Sequence, residues 1–192
     1  IMITLCMIVK NEEENLRNCL SNVVDFVDEI IVVDTGSTDN TKTIASEFTD
    51  KVIDYEWCND FSAARNFSIL KAANDWILVL DADEYVSKFT NESIHAFIND
   101  EKNRKTVGRI ESINILEDSS SGNKRYLERI SRLFNKRYFQ YEGSIHEQIV
   151  CKTDTTYNTM PVDITVYHAG YTKESINRTN KLKRNKVMLT QA

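Results

Sequence analysis

The 192-residue chain lacks several features that mark specialised classes of protein. It has a single proline, five glycines, no low-complexity tract and no internal repeat. No apolar run approaches the roughly 20 residues of a membrane-spanning helix. No signal peptide is visible, because the first apolar run is short and Lys10 and Glu12 follow it directly. The net charge of -5 leaves no basic excess, so we expect no nucleic-acid binding through a basic surface.

Cysteine is also scarce. The four cysteines are Cys6, Cys19, Cys58 and Cys151, and no two lie close enough in sequence for a zinc knuckle or a redox pair. Cys6 lies in an apolar run, where a free, buried thiol is the usual state. The pattern favours a reducing compartment, so we expect a cytoplasmic protein without a membrane span. Peripheral association with a membrane stays open.

What the chain does contain is a regular alternation of strands and helices in its first half. With 41% hydrophobic and 28% charged residues it has the composition of one globular domain. The hydrophobic pattern predicts strands at 3–9, 29–33, 51–57 and 75–80 and helices at 11–24, 38–48 and 60–73. This order indicates a parallel α/β sheet, whose ligand sites lie at the carboxyl ends of its strands.

The second half of the chain has a different pattern. We predict a short helix at 91–98 and strands of a mixed or antiparallel portion at 106–116, 126–134, 145–150 and 162–167. The segment 117–124 is a loop, rich in serine with a Gly-Asn pair. Residues 175–192 have the pattern of a helix without a stop signal, so we expect the chain to be a piece of a longer protein.

Two carboxylates directly after the fourth strand are the first candidate site. Asp81 and Asp83 follow the apolar residues 76–80. Oxygen ligands of this kind suit Mg²⁺ or Mn²⁺, which is readily shared with substrate phosphates. Spacing alone equally fits a solvated turn, because two aspartates at this spacing are common by chance.

The second strand also ends in an acidic motif, residues 34–39 (DTGSTD). The Asp34 carboxylate can accept hydrogen bonds from a nucleotide base or from ribose hydroxyls. Gly36 permits a tight turn. A βα turn with helix-capping side chains explains most residues of this motif without a ligand. Asp34 is the residue whose presence helix capping explains least.

Three further residues complete the set of candidates. Arg65 lies one turn into the third helix, where it can meet a phosphate or a base, although a surface pair with Asp60 or Glu56 is the simpler interpretation. Glu147 is a candidate general base, with His146 to orient it or to line an acceptor pocket. His168 lies at a strand end, where an imidazole can bind a metal but more often forms a structural hydrogen bond.

The order of these motifs resembles that of the family 2 glycosyltransferases. The resemblance rests on residues 6–13 (CMIVKNEE), 33–39 (VDTGSTD), 61–66 (FSAARN) and 80–84 (LDADE), with later landmarks at 129–134 (RISRLF), 143–147 (GSIHE) and 168–171 (HAGY). Within the family the chain looks like the branch of bacterial lipopolysaccharide-core glucosyltransferases and bacteriocin S-glycosyltransferases.

The resemblance implies a GT-A fold, an α/β architecture with a Rossmann-like nucleotide-binding half, a mixed central sheet and a smaller antiparallel acceptor-side portion. It implies one catalytic domain over residues 1–192, with the nucleotide-sugar-binding half at 1–90 and the acceptor-side half at 91–192. The donor would be a UDP-sugar, the cofactor Mn²⁺ or Mg²⁺, and the reaction would invert the anomeric carbon. The acceptor could be a glycan, a lipid-linked sugar or a peptide.

The resemblance also implies a role for each candidate residue. The residues that would bind the uridine end are the Val9 backbone, Glu12, Asp34 and Arg65. Asp81 would lie near the ribose or the sugar, Asp83 and His168 would bind the metal, and Glu147 would be the catalytic base. Many relatives carry a second acid after the position of Asp34, where this chain has Thr35, so uracil recognition would rest on Asp34 alone.

Two other functions remain as alternatives at this point. A sugar nucleotidyltransferase usually has a glycine-rich basic loop after its first strand, and residues 10–14 (KNEEE) contain no glycine. The second alternative is a catalytically inactive scaffold domain that binds a carbohydrate or a nucleotide. The joint presence of Asp81, Asp83, Glu147 and His168 argues against it.

Overall fold

A computed structural model describes residues 2–116, 124–154 and 156–168. The strands are β1 (Ile3–Val9), β2 (Glu29–Asp34), β3 (Val52–Asp54), β4 (Trp76–Val79), β5 (Glu84–Phe89), β6 (Thr106–Leu116), β7 (Lys124–Asn135), β8 (Phe139–Glu142), β9 (Gln148–Cys151) and β10 (Asn158–His168). The helices are α1 (Leu16–Val23), α2 (Thr41–Ala45), α3 (Phe61–Lys71) and α4 (Asn91–Asn99), with 3₁₀ turns at Val24–Phe26 and Glu101–Lys105.

One eight-stranded sheet of order β3-β2-β1-β4-β7-β6-β10-β5 runs through the molecule. The strands from β3 to β4 are parallel, as the alternation of strands and helices predicts. From β4 onward the sheet is mixed, because β7 pairs antiparallel with both β4 and β6. A separate two-stranded ribbon, β8-β9, lies beside it. The predicted mixed or antiparallel second half is therefore confirmed.

The sheet is covered on both faces, which explains the unbroken apolar strands. Leu5 and Met7 face the core that contains Leu16 and Leu20 of α1 and Ile94 of α4. The opposite face packs against α3 and the β8-β9 ribbon, and this second core includes Phe134, Phe139, Ile31, Ile77 and Tyr141. The parallel half thus has three layers, with the sheet in the middle. The carboxyl ends of its parallel strands lie at one edge of the sheet.

Residues 11–15 do not form the first turn of a helix, contrary to the sequence prediction, and α1 begins only at Leu16. Asn11 has a left-handed backbone with φ 54°. The amides that would start the helix donate instead to side chains after β2: Asn11 N to Ser37 Oγ and Glu12 N to Thr41 Oγ1. Tertiary hydrogen bonds therefore override the local preference for a helix.

Two strands, β5 and β8, were not predicted from the sequence. β5 follows Asp81 after a tight turn at 82–83 that contains neither glycine nor proline, and β8 has only four residues. Residues 117–123 of the predicted 117–124 loop lie outside the described residues, and so do residues 169–192, which contain the predicted helix at 175–192.

All four cysteines are free, and Cys6 is buried as expected. Burial raises the pKa of the Cys6 thiol to about 12. Within the described ranges, no helix is both long enough and apolar enough to cross a membrane.

Candidate functional site

A cavity of about 540 Å³ opens at the carboxyl ends of β1 and β4. Its walls include most of the residues predicted from the sequence, namely Val9, Glu12, Arg65, Asp81, Asp83, Glu147 and His168. They come from six different elements or loops between positions 9 and 168. Their convergence matches the rule that open α/β sheets bind ligands beyond the carboxyl ends of their strands.

Asp34 lies directly beside this cavity, at the end of β2 and in register with Val9. One carboxylate oxygen, Oδ1, accepts hydrogen bonds from the amides of Gly36 at 2.9 Å and Ser37 at 2.8 Å. The turn that these bonds close needs a glycine, because Gly36 has φ 102°. The other oxygen, Oδ2, is buried and has no hydrogen-bond partner among the described residues. The turn therefore accounts for only one oxygen of Asp34.

Val9 contributes to the cavity wall, but its carbonyl oxygen is already engaged. It accepts from the amide of Thr35 at 2.9 Å and from the Thr35 hydroxyl at 3.1 Å. These two bonds use both lone pairs of the carbonyl. Glu12 sits beside it, with its side chain held by Asn15 Nδ2 at 2.9 Å.

Arg65 is buried and ion-paired across the cavity, not on the surface. Asp60 caps α3 by accepting from the amide of Ala63, and Arg65 lies one turn further into this helix. The Arg65 Nε donates to Glu147 Oε1 at 2.8 Å, and Nη2 donates to Asp81 Oδ1 at 2.9 Å. The simpler interpretation, a surface pair with Asp60 or Glu56, is therefore wrong. The Nη1 of Arg65 is buried and has no partner among the described residues.

Arg132 on β7 completes a row of charges at the floor of the cavity. Its Nη2 donates to Asp81 Oδ2 at 2.9 Å and to Glu84 Oε1 at 2.7 Å. Both oxygens of Asp81 are thus bound by arginines, so the interpretation of this motif as a solvated turn is wrong. Burial tends to raise the pKa of Asp81, but the charges of Arg65 and Arg132 outweigh it and hold that pKa well below its usual range. Burial raises the pKa of Glu84, against the opposing effect of Arg132.

Asp83 and His168 approach each other at the far side of the cavity. His168 Nε2 lies 3.4 Å from Asp83 Oδ2. Asn114 donates through Nδ2 to Glu128 at 2.8 Å, which turns its Oδ1 toward His168 Nδ1 at 2.9 Å. This arrangement places the proton of a neutral imidazole on Nδ1 and directs the Nε2 lone pair at a carboxylate. With that tautomer, a proton or a cation between the two atoms would stabilise their approach.

The pair suits a divalent metal that is shared with a substrate. A carboxylate oxygen fits Mg²⁺ or Mn²⁺, and the imidazole nitrogen favours Mn²⁺ over Mg²⁺. In residues 2–116, 124–154 and 156–168 no group of three His, Cys, Asp or Glu side chains converges on one point. A metal held by Asp83 and His168 would therefore take its remaining ligands from substrate oxygens and water.

An aromatic wall stands next to Glu147. Trp57 and Phe61 line the cavity and pack edge to face, with ring centroids 4.9 Å apart. The indole Nε1 donates to Asn59 Oδ1 at 3.1 Å, and Asn59 itself has a left-handed backbone with φ 61°. The amide of Phe61 donates to the carbonyl of Ser144, which joins this wall to the turn that carries His146 and Glu147.

His146 lines the cavity as predicted, but the residue that holds Glu147 is Arg65. Sequence reasoning also missed Glu84, Asn114 and Arg132 as site residues. One signal was available for Arg132: Glu128, Ile130 and Arg132 alternate along β7, and all three line the cavity. The contacts of Asn114 and Glu84 depend on pairing between distant strands, which no local pattern reveals.

Residues 4–162 match the model of the family described as Glycosyl transferase family 2. The chain is 34% identical over 192 residues to the SPbeta prophage-derived glycosyltransferase SunS of Bacillus subtilis, a match that covers 95% of this chain and 43% of SunS. It is 39% identical over 148 residues to a TPR repeat-containing protein of Synechococcus elongatus, covering 77% of this chain and 35% of that protein. The chain thus spans less than half the length of these curated relatives.

Among solved structures, Staphylococcus aureus TarS 1–349 resembles the chain with a TM-score of 0.56 and 14% identity, over 88% of this chain and 61% of TarS. The same protein in complex with UDP gives a TM-score of 0.52 at 16% identity, over 84% of this chain and 61% of TarS. At this level of identity the likeness is one of fold, and it confirms the expected GT-A architecture.

Proposed function

The chain belongs to glycosyl transferase family 2, and on that premise we propose that it transfers a sugar from a UDP-sugar to an acceptor, with a divalent metal and with inversion at the anomeric carbon. The observation that carries the proposal is the convergence of Arg65, Asp81, Asp83, Glu147 and His168 on one cavity. Residues 1–192 would form one catalytic domain of a longer protein. The acceptor would be a glycan, a lipid-linked sugar or a peptide side chain.

The uridine end of the donor would bind at the ends of β1 and β2. Asp34 Oδ2, buried and without a partner in the described structure, is suited to accept the N–H of uracil. Val9 would shape the wall, since its carbonyl is occupied, and Glu12 would face the ribose. TarS, which shares the fold, is known in complex with UDP, which supports uridine as the nucleotide.

Asp83 and His168 would hold Mn²⁺ or Mg²⁺ against the diphosphate. A bound metal there would offset the negative charge of the donor phosphates. Asn114 would fix the tautomer and the orientation of the His168 ring, because its Oδ1 accepts a hydrogen bond from Nδ1–H.

Glu147 would act as the general base. It would accept the proton of an acceptor hydroxyl or thiol while the oxygen or sulfur forms a bond to the anomeric carbon. The bond from that carbon to the phosphate oxygen breaks at the same time, and its electron pair leaves with UDP. Arg65 would keep Glu147 in place, since its buried guanidinium lies 2.8 Å from the Glu147 carboxylate.

The acceptor would approach along the wall formed by Trp57 and Phe61. This wall adjoins the 143–147 turn, so a group that rests on it lies close to Glu147. Flat aromatic faces stack well against sugar rings and apolar side chains. Trp57 would thus contribute to acceptor binding without contact to the uridine.

Isothermal titration with UDP, with and without MnCl₂, separates this function from its alternatives. Metal-dependent UDP binding followed by UDP release from a UDP-sugar supports a transferase. Binding without turnover across a panel of UDP-sugars and acceptors, read by mass spectrometry, would indicate a scaffold. Release of pyrophosphate from UTP and a sugar phosphate would indicate a nucleotidyltransferase.

The role of Glu147 is tested by Glu147→Gln. The base assignment requires turnover to fall by about a hundredfold or more while UDP affinity stays within about twofold. Loss of UDP binding with turnover per bound donor unchanged would contradict it.

A further inference from the structure

We propose that Arg132 is a positioning residue of the transfer reaction, which together with Arg65 holds the Asp81 carboxylate and so fixes Glu147 relative to the metal-binding end of β4. The inference rests on the proposed function. It assigns a role to a residue of β7 that lies in the 129–134 segment (RISRLF), for which the resemblance implies no role.

The geometry is a row of five alternating charges. Arg132 binds Glu84 at 2.7 Å and Asp81 at 2.9 Å. Arg65 binds the other oxygen of Asp81 at 2.9 Å and Glu147 at 2.8 Å. Each carboxylate or guanidinium in the row has at least one neighbour of opposite charge, and the row ends on the proposed base.

The row is largely removed from solvent. The side-chain exposures are 2% for Glu84, 14% for Arg132, 7% for Arg65 and 15% for Glu147. Asp81, at 35%, is the member most open to the cavity. Ion pairs of this burial are only weakly screened, and removal of one partner leaves its neighbour with an uncompensated charge.

Asp81 is the centre of this arrangement. Because its two oxygens each accept from a different arginine, its carboxylate plane is fixed by α3 on one side and by β7 on the other. Without Arg132 the carboxylate can rotate about its remaining bond to Arg65. Arg65 then loses its fixed anchor, and the position of the Glu147 carboxylate changes with it.

A simpler role for Arg132 is to neutralise Glu84, which is buried and also accepts the amide of Asp81 through Oε2 at 2.9 Å. The two roles differ in whether Arg132 is still needed once Glu84 is uncharged. Neutralisation becomes unnecessary when Glu84 is replaced by an uncharged glutamine. Positioning of Asp81 still requires the guanidinium.

The experiment compares Arg132→Met, the double variant Arg132→Met/Glu84→Gln, and Arg132→Lys. The matched control is Arg129→Met on the same strand, since Arg129 is half exposed and pairs with Glu111 away from the cavity. For each protein we would measure the thermal midpoint, UDP affinity with Mn²⁺, steady-state hydrolysis of UDP-glucose, and the ¹⁵N–¹H signal of Arg65 Nε. That signal is identified by its absence in Arg65→Lys.

We expect Arg132→Met to lower the thermal midpoint by several degrees and the double variant to recover most of that loss. Turnover should remain about a hundredfold lower in both, with KM for the donor and UDP affinity within about twofold of the wild type. The Arg65 Nε–H signal should shift or broaden in both. Arg132→Lys, which keeps the charge but not the forked geometry, should recover only part of the turnover, and Arg129→Met should match the wild type throughout.

The proposal is overturned if the double variant has wild-type turnover, or if its Arg65 Nε–H signal is unchanged. The second measurement needs no donor. If the wild type binds no UDP and hydrolyses no UDP-sugar, the proposed function fails, while the Arg65 signal still decides whether Arg132 holds the row in place.

Discussion

The Nε of Arg65 lies 2.8 Å from Oε1 of Glu147, although 82 positions separate the two residues in the chain. The same guanidinium binds Asp81 on the opposite side. Arg65 therefore connects the motif at the end of β4 to the turn between β8 and β9, and it holds the proposed base from a rigid helix.

Replacement of Arg65 by lysine should lower turnover by about a hundredfold, because one ammonium cannot make the two divergent contacts of a guanidinium. Steady-state release of UDP from a UDP-sugar would show the effect in kcat. Arg104→Lys is a suitable control, since Arg104 is exposed and pairs with the nearby Glu101. Equal kcat values for Arg65→Lys and the control would show that Arg65 has no role in the transfer reaction.

Asp34→Asn should weaken UDP binding by about tenfold or more while the fold remains intact. The amide oxygen can still accept from Gly36 and Ser37, but an NH₂ group replaces the oxygen that would receive the uracil N–H. Calorimetric titration with UDP measures the loss. Asp54→Asn is the matched control, because Asp54 holds the same register position on β3 but is exposed. A similar loss in the control would indicate a general charge effect.

Asp83→Asn should abolish the dependence of UDP binding on Mn²⁺, since it removes the anionic oxygen that faces His168. Titrations with and without MnCl₂ should give the same UDP affinity in this variant, and electron paramagnetic resonance should show free Mn²⁺. Retention of tightly bound Mn²⁺ in the presence of UDP would contradict the assignment of the metal site.

Asn114→Leu should weaken Mn²⁺ affinity in the presence of UDP by about tenfold to a hundredfold without removing a metal ligand. The fully buried Asn114 amide sets the tautomer and the direction of the His168 ring. Leucine has a similar volume but cannot accept the Nδ1 proton. Asn22→Leu, at an exposed position on α1, controls for the loss of an amide. An unchanged affinity in Asn114→Leu would exclude this role.

Trp57→Ala should raise KM for the acceptor by about tenfold and leave hydrolysis of the donor by water within about twofold. The aromatic wall adjoins the turn that carries Glu147, so its loss removes stacking area for the acceptor alone. Comparison of transfer with hydrolysis in the same variant separates the two effects. Tyr138→Ala, outside the cavity, is the control for loss of an aromatic ring. A parallel fall in donor hydrolysis would place Trp57 in the donor site instead.

The sequence predicted the strands β1, β2 and β4 closely, because each is an apolar run that is buried on both faces and followed by polar residues. It also predicted that Asp34 and Asp81 lie at one edge of the sheet. These properties follow from strand direction and require no knowledge of side-chain contacts.

The contacts within the site could not be predicted in the same way. Arg65 has no local signal for burial, and its partners lie 16 and 82 positions away. Residues 11–15 have the charge pattern of a helix start, yet they form a turn. The reason is that the amides of Asn11 and Glu12 donate hydrogen bonds to side chains at 37–41. Both outcomes depend on how β1, β2 and α3 pack together, which a single sequence does not specify.

The order of strands has a consequence for protein engineering. β5 belongs to the first 90 residues of the chain, but it pairs with β10, the last described strand, at the edge of the sheet far from β3. A chimera that exchanges the chain from residue 90 onward would therefore join a foreign β10 to a native β5. Exchange of acceptor specificity between relatives should keep β5 and β10 from the same parent, and it should move β7 with them whenever Glu84 is moved.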